Sequence, residues 1–242
     1  MTDTTDTDHR AGALATPAPR PPAEQLLDPA TGAVTVGVRA DGTPARLPLW
    51  NRHGAVHTHI SARAGCGAST LIDHLLVAEH AGDLTQSWVA DPNGQRPSHQ
   101  LAARTATGPA EILALLRDAV DLLRERSRDT AALADGDLGV YAPTPQRPLI
   151  TLTLGDWPHL STRDDLVLLA KEIALTGRRV GLSLRVETWA VRFQPSLPLM
   201  TTALRNAHQV VLTDHRTPGA GALAEHPHAP AHPFRTFAPA EQ

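Results

Sequence analysis

Between residues 62 and 70 the chain reads Ala62-Arg63-Ala64-Gly65-Cys66-Gly67-Ala68-Ser69-Thr70. A short segment, Ala55 to Ser61, precedes it and reads as a strand. Ser69 to Glu79 follows and reads as a helix. Strand, Gly-rich loop, then helix is the physical setting of a phosphate cradle. Backbone N–H groups point into such a loop, and the helix N-terminus adds a partial positive charge. An ordinary Gly-rich turn ahead of a helix has the same outline, so neighbouring segments must separate the two readings.

A working P-loop reads G-x-x-x-x-G-K-[ST]. Gly65, Gly67, Ser69 and Thr70 fit that pattern, whereas Ala62 stands at the first Gly and Ala68 at the Lys. The Lys bridges the β- and γ-phosphates and stabilises the charge that develops during transfer, which alanine cannot do. Ser69 keeps the hydroxyl that would hold Mg²⁺, and the amides of residues 63–70 keep their capacity for phosphate. Arg63 is the one cation inside the loop, and its guanidinium is a candidate stand-in for the missing Lys. ATP with Mg²⁺ is therefore the expected cofactor, bound weakly or lost.

Working outward, strand and helix patterns alternate. Gly32 to Leu49 holds short β-like runs around Asp41-Gly42 and predicts a hairpin. Ser87 to Ala90 is a strand ending at the turn Asp91-Pro92-Asn93-Gly94. Pro109 to Arg128 is an amphipathic helix with Ile112, Leu115, Leu116, Ala119, Leu122 and Leu123 on one face. Ala132 to Arg147 reads as a loop, Leu149 to Leu154 as a strand, and Thr162 to Thr176 as a helix buried through Leu166, Leu169, Ala170 and Ile173. Gly181 to Val186 and Gln209 to Thr213 are further strands. The alternation predicts an α/β domain: a mostly parallel sheet covered by helices on both faces, preceded by a short β-hairpin. Residues 1–24 read as a disordered tail, 25–216 as the folded domain, and 217–242 as a loose Pro- and His-rich segment except around Pro233 to Phe237.

Composition narrows the function classes. The 242 residues suit one α/β domain, with 41% hydrophobic and only 3% aromatic side chains, so Leu, Val, Ile and Ala must build the core. Lys171 is the only lysine, and Ala, Pro and Gly are abundant, a pattern of high-GC bacterial coding. The net charge of −3 does not support a free-standing nucleic-acid binder, although a local patch stays open. Cys66 is the only cysteine, no signal peptide is visible, and no run of about 18 apolar residues exists. A cytoplasmic location is expected.

Other segments resemble a known family in their order. Gly37-Val38-Arg39-Ala40-Asp41-Gly42 is similar to the segment ahead of the P-loop strand in FtsK/SpoIIIE/TraB-like DNA-pumping motors, and His57-Thr58-His59-Ile60 to that strand itself. Trp88 to Gly94 resembles their "D-P-K-G" strand end, with Asn93 for Lys. Leu123-Arg124-Glu125-Arg126 resembles an "M-x-x-R" helix end. Pro148 to Trp157 looks like the Walker B strand, with Gly155 at the Mg²⁺-associated Asp and Asp156 at the water-polarising Glu, one methylene shorter. Gly177-Arg178-Arg179-Val180-Gly181-Leu182-Ser183-Leu184 resembles the "G-R-A-x-G-I-H-L" block and is the most specific match. Glu187-Thr188-Trp189 resembles "A-T-Q", with Trp189 at the γ-phosphate-sensing Gln. Leu204-Arg205-Asn206 and Gln209 to Thr213 fit the end of the core loosely, one residue short.

The resemblance covers Gly37 to Thr213 and implies a RecA-like P-loop fold whose Lys, Walker B Asp, Walker B Glu and sensor Gln are all replaced. It implies a pseudo-ATPase acting as partner or regulator of an active motor, or assembling with itself as a ring. Two alternatives stand beside it: a divergent but active ATP-dependent DNA translocase using Arg63 and Asp156, and a scaffold with no nucleotide role. Arg178 and Arg179 are candidates to reach a neighbouring subunit's nucleotide, against the plainer reading of surface arginines. Arg124, Arg126 and Arg128 read as a solvated helix end, and Asp164-Asp165 as a helix cap. His226, His228 and His232 near Glu225 form a poor metal candidate, and Asp156 with His159 a poor acid/base pair.

Overall fold

A computed structural model describes residues 17–94, 97–133, 141–189, 207–212, 214–224 and 229–239. In chain order the elements are β1 (Leu27–Asp28), β2 (Ala33–Arg39), β3 (Pro44–Pro48), β4 (Trp50–Asn51), β5 (Gly54–Ala55), β6 (Thr58–Ala62), α1 (Ala68–His80), β7 (Thr85–Ala90), β8 (Arg104–Ala106) and α2 (Pro109–Leu133). There follow β9 (Leu149–Leu154), α3 (Trp157–Leu160), α4 (Asp164–Thr176), β10 (Leu182–Thr188), β11 (His208–Leu212), β12 (Ala220–Ala224) and β13 (His232–Thr236).

One sheet runs β1-β2-β13-β12-β11-β6-β10-β9-β7-β8, with β3 on β2. The strands from β11 to β8 are parallel, with β6 and its phosphate loop near their middle. From β11 outward the pairing turns antiparallel through β12, β13, β2 and β3. All six residues of β9 are buried, as expected of a parallel strand covered on both faces. On one face α1 packs Leu71, Ile72, Leu75 and Leu76 against Ile60, Leu149 and Val210. On the other, α2 sends Ile112, Leu115, Leu116, Ala119 and Leu123 against Leu152, Leu154 and Leu184, together with Ile173 of α4. This is the expected RecA-like architecture, and the predicted hairpin is β2–β3.

Three expectations change. Residues 217–242, where described, are ordered beyond the excepted stretch around Pro233 to Phe237, where β13 lies: β12 is also a strand of the main sheet, and β13 joins the N-terminal hairpin through Phe234, Arg235 and Thr236. Long-range pairing makes these strands, in a stretch whose prolines hide the strand pattern. The tail expected to be disordered over 1–24 has structure from residue 17, because the Ala18 carbonyl accepts from the Ala238 N–H at 3.0 Å and Ala23–Gln25 form a 3₁₀ turn; residues 1–16 lie outside the described set. The predicted loop at Ala132 begins later, since α2 reaches Leu133, and residues 134–140 lie outside.

Gly177–Val180, the turn before β10, shows why the most specific sequence block needs its glycines. Gly181 has φ 78°, and a Cβ there would strike the Tyr141 ring. Gly177 has no room for a side chain either, because a Cβ would lie 2.7 Å from the Leu182 carbonyl oxygen.

Candidate functional site

The parallel strands end on one side of the sheet, and the residue 63–70 loop lies there between β6 and α1. Gly65 (φ 77°) and Gly67 (φ 97°) turn the chain through left-handed backbone on either side of buried Cys66. The Cys66 N–H donates to the Arg63 carbonyl at 3.1 Å, and the Arg63 N–H to the Leu212 carbonyl of β11 at 3.3 Å. The segment between β11 and β12 braces the loop from outside. Gly219 N–H donates to the Cys66 carbonyl at 2.8 Å, and a Cβ on Gly67 would come within 2.7 Å of that nitrogen. Sequence reasoning, which takes that segment as loose, gives no sign of this contact.

Arg63, Ala64, Gly65 and Ser69 are exposed, Gly67 and Thr70 half-buried, and Cys66 and Ala68 buried. The first amides of α1, on Ala68, Ser69 and Thr70, have no partner within the helix by construction and carry the positive end of its dipole. A Cβ on Gly65 would meet open space. These features fit a phosphate. The donor set for Mg²⁺ is poorer: Ser69 offers its hydroxyl, and Gly155 offers none.

Asp156 is buried and is the only non-glycine with positive φ among the described residues (φ 49°, ψ 51°). Its carboxylate accepts from the His159 N–H at 3.4 Å and caps α3. A left-handed aspartate capping a short helix is a turn solution. Gly155 lies beside Asp91: a Cβ there would be 3.4 Å from the Asp91 carboxyl carbon. Asp91 is buried, accepts from the Asn93 N–H at 3.0 Å and lies 3.4 Å from His99 Nε2. Trp189, which the resemblance sets at the sensor position, is 58% exposed.

Arg178 and Arg179 lie at the opposite end of the sheet, in the turn that precedes β10. Arg178 Nε donates to the Ala55 carbonyl at 2.9 Å, so this side chain is held within the fold, whereas Arg179 is exposed. Of the three arginines read as a solvated helix end, Arg126 departs. It is buried and donates to the carbonyls of Val180, Gly181 and Pro148 at 3.1, 3.2 and 2.9 Å, tying α2 to the start of β10. Arg124 pairs with Glu172 of α4 at 3.0 Å. Asp164 and Asp165 lie in the first turn of α4 rather than at its N-cap, which is Arg163 without a side-chain cap bond; Asp165 accepts from Arg163 and from the Leu166 N–H at 2.9 Å, and the Arg163 contact holds its carboxyl below the usual range. His232 is exposed on β13; His226, His228, Glu225, Arg205 and Asn206 lie outside the described residues. Among the described residues no cluster of metal-ligating side chains occurs.

Two buried polar features escape the sequence reading. Glu79, near the end of α1, pairs with Arg185 of β10; its carboxylate also accepts from Ser87 and, at 2.7 Å, from Thr151. Arg185 donates further to Thr153 at 3.1 Å. The available signals are an arginine within the apolar Leu182–Val186 run and a glutamate in helical register with Ile72, Leu75 and Leu76. The other is His57: Nε2 donates to the Ala174 carbonyl at 2.9 Å while Nδ1 accepts from the Leu184 N–H at 2.9 Å. Burial lowers its pKa to about 4, so the ring is neutral in the fold.

No family model matches the sequence, and no curated protein matches it. Solved structures do resemble the fold. The cytoplasmic domain of the Thermomonospora curvata type VII secretion ATPase EccC superposes with a TM-score of 0.67 at 16% identity, over 91% of this chain and 28% of that one. The pCW3 conjugation coupling protein TcpA, in a monomer form with ATPγS, gives 0.67 at 12% identity, over 91% and 69%. EssC (ATPases 2 and 3) from Geobacillus thermodenitrificans gives 0.62 at 15%, over 94% and 47%. The chain thus spans less than half of the EccC and EssC chains. At these identities the likeness establishes the fold alone, that of P-loop ATPase domains.

Proposed function

We propose that this chain is an FtsK/SpoIIIE-like P-loop domain that has lost ATP hydrolysis and serves as partner or regulator of an active secretion, conjugation or DNA-translocation motor. The observation that carries the reading is the state of four positions on an otherwise intact fold. Ala68 brings no cation to the phosphates, Gly155 no carboxylate, Asp156 is turned into a helix cap, and Trp189 stands exposed where a sensor amide belongs. Hydrolysis needs charge stabilisation and a placed water together; none of the four residues supplies either.

The domain would work at the cytoplasmic side of its motor; among the described residues no helix is long and apolar enough to cross a membrane. Neighbours such as EssC (ATPases 2 and 3) carry more than one ATPase domain in a chain, which suits a domain that acts beside an active copy. Exposed Arg179 is the residue we assign to reach such a neighbour, in preference to Arg178.

Phosphate release measured with and without double-stranded DNA tests the loss of hydrolysis. No rate above background is expected. A DNA-stimulated rate that disappears in Arg63→Ala would favour the active-translocase reading instead, since Arg63 is exposed at the loop. Calorimetry with ADP and Mg²⁺-ATP separates both from a scaffold without nucleotide.

A further inference from the structure

We propose that the carboxylate missing at Gly155 has moved one strand closer to the phosphate loop, to Glu187, and that this residue completes the Mg²⁺ requirement of nucleotide binding. The inference rests on the reading that residues 63–70 still hold phosphate.

The register of the sheet carries it. Val186 of β10 pairs with Leu154 of β9, which puts Glu187 level with Gly155, the next residue up. On its other side Glu187 pairs with Ile60 of β6, two residues before the end of the strand that feeds the loop. Side chains alternate along a strand. Leu184 and Val186 pack on the α2–α4 side, and Arg185 contacts Glu79 of α1, so Glu187 shares the α1 side with Arg185. Gly155 is two and four residues beyond Thr153 and Thr151, which meet Arg185 and Glu79, and belongs to that side as well. Glu187 is 6% exposed and engaged within the fold.

Across the gap left by Gly155, Glu187 is one interstrand spacing nearer to Ser69, about 5 Å, and its side chain is one methylene longer than an aspartate. The "A-T-Q" pattern that this segment resembles has alanine at this position. A carboxylate lost from β9 and one gained on β10, at the same level and on the same face, form a paired exchange. With Ala68, Asp156 and Trp189 as they stand, the result is a domain that binds Mg²⁺-nucleotide without turning it over.

The test is calorimetric titration of ADP into the purified full chain, in Mg²⁺ and in EDTA. Mg²⁺ is expected to tighten binding about 10-fold, within the usual range of coupling between two ligands. Glu187→Gln should abolish the difference between Mg²⁺ and EDTA. Glu187→Asp, which keeps the charge but shortens its reach, should retain part of it and serves should the amide variant fail to fold. Gly155→Asp added to Glu187→Gln, which sets a second carboxylate beside that of Asp91, should restore it only when Mg²⁺ is present to bridge the two charges. An Mg²⁺ effect unchanged in both Glu187 variants overturns the assignment and leaves the phosphate site standing. No ADP binding by the unchanged protein under either condition overturns both.

Discussion

Where the parallel strands end, the positions that would do chemistry hold an alanine, a glycine, a capping aspartate and an exposed tryptophan. About 16 Å away along α1, Glu79 and Arg185 form an ion pair that is almost wholly buried and hydrogen-bonded further to Ser87, Thr151 and Thr153, with Arg185 Nε left without a partner. Three of the four positions in the first region carry no charge, and the second region holds an ion pair in the core. The cost of removing a charge explains the difference. At the exposed loop a lost cation is replaced by water. In the core, losing one partner strands the other in a medium of low dielectric. Exposed positions at the loop can therefore vary without loss of the fold, whereas the buried pair cannot change one member at a time.

The contrast makes graded predictions. Arg185→Ala or Glu79→Ala should lower the free energy of unfolding by about 3–5 kcal/mol in urea titrations, the range for breaking a buried pair. The double replacement Arg185→Met with Glu79→Leu should recover most of that loss; additive losses would break the argument. His57 gives the next effect. Its pKa of about 4 in the fold lies below the ordinary 6.5, so the unfolded chain takes up a proton first as the pH falls. Stability from this group is complete above pH 6.5 and falls between pH 6.5 and 4 by on the order of 3 kcal/mol. His57→Asn should flatten that part of the pH profile.

At the loop, Gly67→Ala should cost about 2 kcal/mol, through its left-handed φ and the approach to Gly219. Ser69→Ala, at an exposed position, should change stability by less than about 0.5 kcal/mol in the same titrations. A Ser69 effect as large as that of Arg185 would erase the distinction between the two regions.

The parallel half of the fold is readable because its signals are local. Leu149 to Leu154 is expected as a strand and is one, residue for residue, and the helix over Pro109 to Arg128 runs only five residues further. The loop is found from glycines whose left-handed backbone the structure shows. What the sequence hides depends on partners far away along the chain. Ala220–Ala224 and His232–Thr236 become strands only by pairing with β11 and β2. Arg126 looks like one of three solvated arginines until carbonyls 22 to 55 residues distant claim it. At the candidate site, Gly155 and Glu187 each sit in a segment that departs from a pattern, but nothing in the linear order shows that they lie level on adjacent strands.

The hydrogen bond from Ala238 to Ala18 has a topographic consequence. A polypeptide that enters the domain at Ala18 and leaves it at Ala238 crosses the surface at one spot, like both leads of a plug. Anything fused at either place shares that anchorage, and pulling on both together loads the β2–β13 seam before any helix is stretched. A circular permutant joined there and reopened at the Asp41-Gly42 turn would keep every pairing of the sheet.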